Sequence, residues 1–475
     1  MFKLFKNFTK KDIGIIVISI ILIVFQVWLD LKLPDYMSAI TRLVQTDGSV
    51  MGDILRQGGY MLLCAFGSLV SACIVGFLAS NLSANFSYNL RSKVYNKVLD
   101  LSTAEIKQFQ TSSLITRTTN DITQLEMLIS IGLQLLIKAP IMAVWAITKI
   151  LNKSLEWSML TAGCVVILLA VVTGLMLIVL PRFEKVQKLI DKINNVTRES
   201  ITGIRVIRAF NAEKYQENRF ENVNNDLTNM QLFNQKCFAI LNPVMMLVMN
   251  GLTLGIYAIG TYLINNAVIS VKITLFSDMV IFSSYGMQVI MSFLMLAMIF
   301  MMWPRAQISA RRINEILDCD ISIEDGHNDI KPTEVGTVEF KNVSFKYPDA
   351  DEYLLRNISF KVNKGETIAF IGSTGSGKSS LINLVPRFYD ATDGEVLVDG
   401  VNVKNYSLEE LHNKLGYIPQ KAVMFTGTVK SNVAYGSKNG KKPSDAKVKE
   451  AIKIAQAQDF VSKMEDGIAS HIARG

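Results

Sequence analysis

Long apolar runs separated by charged stretches fill the first part of the chain, and a short-period alternation replaces them after residue 336. Six runs, at residues 13–31, 59–79, 127–151, 157–180, 238–263 and 279–303, reach the roughly 20 apolar residues that a membrane-crossing helix needs. Residues 57–90 and 237–271 carry no charge at all. At about 1.5 Å per residue, helices of that length outrun a hydrocarbon core of about 30 Å and must project as stalks. Lys138 is the one charge deep inside a run. An inward, wet setting is expected for it in preference to snorkelling.

The first twelve residues interleave Phe2, Leu4, Phe5 and Phe8 with Lys3, Lys6, Lys10 and Lys11, as a segment lying on an anionic membrane face would. A cleaved signal peptide fits poorly, since the following apolar run is long and lacks a small-residue cleavage site. Orientation follows from where the basic residues fall. The N-terminus and the loops at 91–126 and 182–236 hold four, five and ten Lys/Arg, against three, two and one at 31–57, 149–156 and 265–278. The first set is expected to be cytoplasmic, which puts both termini on that side. The external connection at 151–156 reads as a tight turn.

Residues 317–335 gather Asp318, Asp320, Glu324, Asp325 and Asp329 with Gly326 and Pro332, a linker by composition. Strands are predicted at 338–343, 358–362, 367–371 and 395–398, the last closing on an Asp399-Gly400 turn. The organisation expected is a membrane domain over 1–315, a linker over 316–335 and a soluble α/β domain over 336–475. Composition agrees, because 475 residues at 50% hydrophobic with mean hydropathy +0.29 are too apolar for an ordinary soluble chain. The net charge of +8 raises nucleic acid as a partner, but the cations sit in loops rather than one basic tract. Membrane topology explains them instead. Cys64, Cys73, Cys164, Cys237 and Cys319 show no C-x-x-C spacing, so neither a disulfide framework nor a zinc site is suggested.

The candidate chemistry lies in Gly372-Ser373-Thr374-Gly375-Ser376-Gly377-Lys378-Ser379, which meets G-x-x-x-x-G-K-[ST] at every fixed position. The glycines let backbone N–H groups converge on one anion, and a helix opening at Lys378 adds its positive end. Lys378 is placed to reach the β- and γ-phosphates of ATP, and Ser379 to offer its hydroxyl to Mg²⁺. The flanks read as a buried strand at 367–371 and a helix over 379–387 with Leu381, Leu384 and Val385 on one face. Two stalk stretches, 109–117 with Asp121 and 199–210, read either as solvated amphipathic turns or as ends that touch another element. Met287, Met291, Met295, Met298 and Met302 form a stripe at helical spacing along the last run. It reads as helix packing or as a pliant face that repacks around varied apolar ligands.

Further residues extend the pattern: Val343-Ser344-Phe345-Lys346-Tyr347-Pro348, Leu415-Gly416-Tyr417-Ile418-Pro419-Gln420, and the stretch from Phe425 through Thr428 to Val433. Taken in order with the phosphate loop, they make the whole chain resemble an ATP-binding-cassette exporter half-transporter of the bacterial multidrug or lipid type. The resemblance implies six long transmembrane helices followed by a P-loop nucleotide-binding domain. It assigns Tyr347 to adenine, Gln420 to catalysis and Mg²⁺, and Ser380, beside Lys378 and Ser379, to the nucleotide. It makes the two stalk stretches coupling helices and a second half-transporter the partner, and the similarity of 111–121 to one member of heterodimeric exporters favours a heterodimer.

The family's pattern also holds a signature motif, an acidic Walker B strand, a catalytic glutamate and a switch histidine, and none of these occurs within 1–475. His327, His412 and His471 offer no substitute. An incomplete cassette is therefore expected, with an open apolar edge beside 367–371 and little hydrolysis by this stretch alone. For the full-length protein the expectation is ATP-driven export of hydrophobic or amphipathic compounds across a bacterial cytoplasmic membrane by alternating access. Lipid or peptide export, and a nucleotide-sensing conduit, are the rival readings.

Overall fold

The structure is a computed structural model, and it describes residues 2–6, 8–46, 48–151, 155–326, 332, 334–436 and 442–472. His327, Asp329 and the middle of the expected turn at 151–156 lie outside them. Two compact units emerge: a helical unit of residues Met1–Lys97 and Ser112–Asp318, and a mixed unit of Val98–Thr111 and Cys319–Gly475.

In the helical unit, a short α1 (Phe2–Phe5) precedes α2 (Lys10–Gln45) and α3 (Met51–Asp100); α4 (Thr103–Phe109) belongs to the other unit. Then come α5 (Thr111–Thr118), α6 (Asn120–Leu151), α7 (Leu155–Thr202), α8 (Ile204–Ala209), α9 (Glu213–Ala239), α10 (Leu241–Asn266) and α11 (Ile269–Leu317). Among the described residues six helical stretches are long and apolar enough to cross a membrane, and each contains one of the six predicted runs. The first charge-free stretch lies in α3, 50 residues long, and the second in the 54-residue helical run over Glu213–Asn266 that α9 and α10 make together; α7 and α11, at 48 and 49 residues, are as tall.

A capping box starts α2, with Thr9 N donating to Asp12 Oδ2 at 2.8 Å and Asp12 N returning to Thr9 Oγ1 at 3.3 Å. The core forms where α6, α7, α10 and α11 meet. There the Trp157 indole donates to Ile256 O at 3.1 Å and its ring lies 5.3 Å from that of Phe282. Gly286 lets α11 approach α10 closely, for a Cβ there would stand 2.8 Å from a Leu252 methyl.

Polar side chains lace the same bundle. Lys138 on α6 meets Asp30 on α2 at 3.0 Å, Lys149 meets Asp35 at 2.9 Å, and the Tyr285 hydroxyl donates to Asp35 at 2.7 Å. Lys138 thus points inward onto a countercharge. That partner escaped the sequence reading because nothing in the sequence pairs residue 30 with residue 138, and Asp35 lay beyond the predicted span, which ended at residue 31 whereas α2 continues to Gln45.

The mixed unit carries a four-stranded antiparallel sheet of β1 (Val338–Phe345), β2 (Leu355–Val362), β3 (Asp393–Val398) and β4 (Val401–Asn402), in the order β2-β1-β3-β4. Registers such as Phe340↔Phe360 and Phe340↔Val396 stack apolar side chains over a core that includes Val343, Phe345, Leu384 and Leu411. Asp399 (φ 55°) and Gly400 (φ 79°) make the predicted two-residue turn between β3 and β4. Helix α12 (Lys378–Leu384) lies between β2 and β3 in sequence, and α13 (Leu408–Lys414), α14 (Val429–Val433), α15 (Asp445–Ile454) and α16 (Gln458–Ser462) follow the sheet, with β5 (Gly427–Thr428) pairing β6 (His471–Ile472) near the end.

One predicted element is not formed. Residues 367–371 make no ladder, and Ile371 is 96% exposed instead of buried. A central strand exists only through neighbours on both sides, and no described strand pairs with this one. The predicted helix over 379–387 likewise shortens to α12, since Pro386 has no N–H to continue the helical ladder and Arg387 turns to a φ of 58°. The acidic segment after α11 is also more than a tether. Asp325 Oδ1 accepts from Leu408 N at 2.7 Å, and Glu324 O from the buried Arg387 guanidinium at 2.9 Å.

Candidate functional site

The phosphate loop runs directly into α12. Gly375 and Gly377 take φ of +86° and +88°, a left-handed geometry that costs other residues, and a Cβ at 377 would also strike Leu355 at 2.8 Å. The Lys378 ammonium curls back into the loop, donating to Gly372 O at 2.8 Å, Ser373 O at 2.7 Å and Ser376 Oγ at 3.2 Å. It therefore already holds a ring of oxygen acceptors, the kind of ligand a phosphate supplies. Ser373, Thr374 and Ser379 are exposed at the mouth, while Ser380 is buried. These residues fit a nucleotide phosphate. A Mg²⁺ ion arriving with ATP would draw charge from the β- and γ-oxygens, and Ser379 is the exposed hydroxyl that could hold it.

Tyr347, just beyond β1, is brought to this loop. Its hydroxyl lies 2.7 Å from Ser380 Oγ, so an aromatic ring stands beside the cradle. Phe345 and Tyr389 brace that ring edge-on at 5.0 and 5.3 Å. Gln420 is not brought in: it is exposed beyond α13, and among the described residues no hydrogen bond ties it to the loop. Its neighbour Tyr417 does reach α12, donating to Asn383 Oδ1 at 2.9 Å.

Sequence reading missed the third wall. Helix α4 packs Ala104 against the core of the mixed unit and sets Lys107 Nζ over the rings of Tyr347 (5.2 Å) and Tyr389 (5.6 Å). A capping box orients the helix, with Ser102 N donating to Glu105 Oε2 at 2.7 Å. Burial alone would raise the Glu105 carboxyl, but hydrogen bonds from Ser102 and Ser322 more than offset it and hold it low. The Tyr389 hydroxyl, against a smaller opposing pull from burial, keeps Lys107 above the usual lysine range. The capping signature S-x-x-E at Ser102–Glu105 was the available signal for this helix.

The two stalk stretches fare differently. The first is divided at Gln110, whose φ of 58° turns the chain; α4 lies in the mixed unit, while Arg117 and Asp121 lie in the helical unit. There Arg117 pairs with Glu315 at 2.9 Å and Asp121 with Arg312 at 3.4 Å, fastening α5 and α6 to α11. The second stretch ends in α8, none of whose residues is buried, flanked by Ile201 and Phe210 at 70% and 78% exposed.

The family model of the ABC transporter transmembrane region matches residues 16–293, and that of the ABC transporter ATP-binding portion matches 355–472. The chain belongs to the ABC transporters. An uncharacterized ABC transporter ATP-binding protein of Mycobacterium tuberculosis is 34% identical over 93% of the chain and 75% of its own length. An ATP-dependent lipid A-core flippase of Aliivibrio fischeri is 27% identical over 90% and 72%. The solved structure of a bacterial Atm1-family ABC exporter with ATP bound shares the fold at a TM-score of 0.77 and 21% identity, covering 98% of this chain and 81% of that one. ATP hydrolysis coupled to transport is accordingly the activity of the family to which this chain belongs, and the protein is a multi-pass membrane protein.

Proposed function

We propose that this ABC transporter subunit exports hydrophobic or amphipathic compounds of the multidrug type across a bacterial cytoplasmic membrane, with both termini on the cytoplasmic side. In this reading Lys378, the loop from Gly372 to Gly377, Ser379 and Ser380 hold the ATP phosphates, Tyr347 stacks on adenine, and Ser379 with Gln420 holds Mg²⁺. Gln420 must then move toward the loop when nucleotide binds. The domains divide as a membrane part over 1–315, a connecting segment over 316–335 and a cassette portion over 336–475.

The observation that carries the multidrug reading is the methionine stripe of α11. Met291 and Met298 are 40% and 44% exposed and Met287, Met295 and Met302 half-buried, while Tyr285, Val289 and Ser292 on the same helix are buried in the core. Packing within the protomer covers this face only in part. Flexible thioethers on an open face suit ligands of varied shape. A second half-transporter completes the pump, and the similarity of 111–121 to heterodimeric exporters favours a non-identical one. The bare apolar end at α8 supplies a surface for it.

Inside-out vesicles carrying the protein with its partner test this. Uptake of an amphipathic fluorescent dye should need ATP and fail in Lys378→Ala. Lipid export is the second reading, favoured by the flippase relatives; translocation of a labelled lipid without any dye transport would select it.

A further inference from the structure

The contact that no motif accounts for is the one between α4 and Tyr347. Lys107 is the only cation of α4, and its ammonium sits in the angle between two rings that stand at 89° to one another. Helix α4 is itself fixed to the mixed unit, through Ala104 in the apolar core and through the Ser102 hydroxyl, 3.2 Å from that of Ser322. On its other side Tyr347 reaches Ser380, two residues past the phosphate-loop lysine, at 2.7 Å. A continuous chain of contacts thus runs from α4 through Lys107 and Tyr347 to α12. By connectivity α4 stands in the chain between α3 and α5.

We propose that Lys107 is a positioning residue that presents the Tyr347 ring to the nucleobase and passes base occupancy to α4. This rests on the reading that Tyr347 stacks on adenine. A tyrosine free to rotate must be ordered when the base binds, at a cost to affinity. A cation over the ring, with Tyr389 and Phe345 packed at steep angles to it, orders it beforehand for stacking with the base. Base stacking then draws on the hydroxyl shared with Ser380 and shifts the ring beneath Lys107. The phosphates meet this chain of contacts only at its far end, through Ser380, whereas the base meets the Tyr347 ring directly. Binding of the base therefore acts on α4 more strongly than binding of the phosphates. The raised pKa of Lys107 keeps the cation charged throughout the physiological range.

The test uses the full chain with its partner in lipid nanodiscs and two probes, ATP and inorganic tripolyphosphate, which lacks a base. Lys107→Met should weaken ATP about two- to fivefold, the range for a partly exposed cation–π contact, and leave tripolyphosphate unchanged. Lys107→Arg, which keeps a cation over the rings, should restore ATP affinity. Hydrogen exchange of the backbone amides of residues 103–109 should slow more with ATP than with tripolyphosphate in the wild type, and this difference should vanish in Lys107→Met. Equal loss of both ligands, or loss of neither, overturns the proposal. So does equal protection of α4 by the two probes. Tyr347→Ala separates the underlying reading: if it leaves the ratio of ATP to tripolyphosphate affinity unchanged, the base does not sit on Tyr347, and the role of Lys107 falls with it.

Discussion

Replacing Lys378 by Ala should weaken ATP binding about 10- to 150-fold, and the size follows from what the ammonium does in the free loop. Its three N–H groups are all used, on Gly372 O, Ser373 O and Ser376 Oγ. Binding exchanges these for phosphate oxygens. A hydrogen bond to a charged group nets about 1.5–3 kcal/mol, so two phosphate contacts are worth about 3–6 kcal/mol gross. Surrendering the bonds to the loop cancels about half, leaving about 1.5–3 kcal/mol, which converts to the stated range at about 1.4 kcal/mol per tenfold. Tyr347→Ala should cost less, about five- to twentyfold. Stacking on a base is worth about 1–3 kcal/mol, and the variant also frees Ser380 from a hydrogen bond that must otherwise be broken. Equilibrium binding of labelled ATP and AMP to the full chain in nanodiscs measures both variants. Lys378→Ala should leave AMP affinity nearly unchanged, because AMP lacks the phosphates the lysine reaches. Equal losses for ATP and AMP would refute the argument, since they would mean that the loop collapses rather than loses a contact.

Three further outcomes are expected. Met291→Ala with Met295→Ala should alter the relative export of different dyes while total transporter in the membrane holds steady; a uniform fall across dyes points to packing instead. Lys138→Met should destabilise the helical unit by about 3–5 kcal/mol, since it strands Asp30 beside a side chain without charge, and Asp30→Asn combined with it should recover most of that loss, read as thermal aggregation in detergent. Burial pushes the Asp399 carboxyl up, but Lys414 at 2.7 Å and the N–H groups of Gly336 and Thr337 override it and hold its pKa below the ordinary value. A depressed carboxylate stabilises above its unfolded pKa and loses that contribution as pH falls through the folded one. Asp399→Asn should therefore lower protease resistance of the cassette by an equivalent of about 1–3 kcal/mol at pH 7, and the gap from wild type should close below about pH 4.

What was legible in the chain was whatever a local pattern determines. Apolar runs of bilayer length gave six spans, charge-free stretches gave stalks, and Asp399-Gly400 gave a turn, because each depends on residues adjacent in sequence. The phosphate loop belongs to the same class: its glycine conformations and the lysine that opens α12 are written within eight residues. Partnerships across the chain were not legible. Asp30 with Lys138 spans more than a hundred residues, and Lys107 with Tyr347 more than two hundred, and no spacing rule links such positions. The strand expected at 367–371 failed for the same reason in reverse. Its apolar composition was read correctly, but a ladder is made by neighbours, and composition does not supply them. The candidate site divides along this line. Its phosphate half is local and was read directly, while its base half is assembled from β1, α12 and a helix nearly 250 residues before Tyr347, so that only folding brings Lys107, Tyr347, Tyr389 and Ser380 together. Distant assembly is also what lets such a half carry information, since a contact between remote segments can change when either one moves, whereas a loop closed on its own residues reports only on itself.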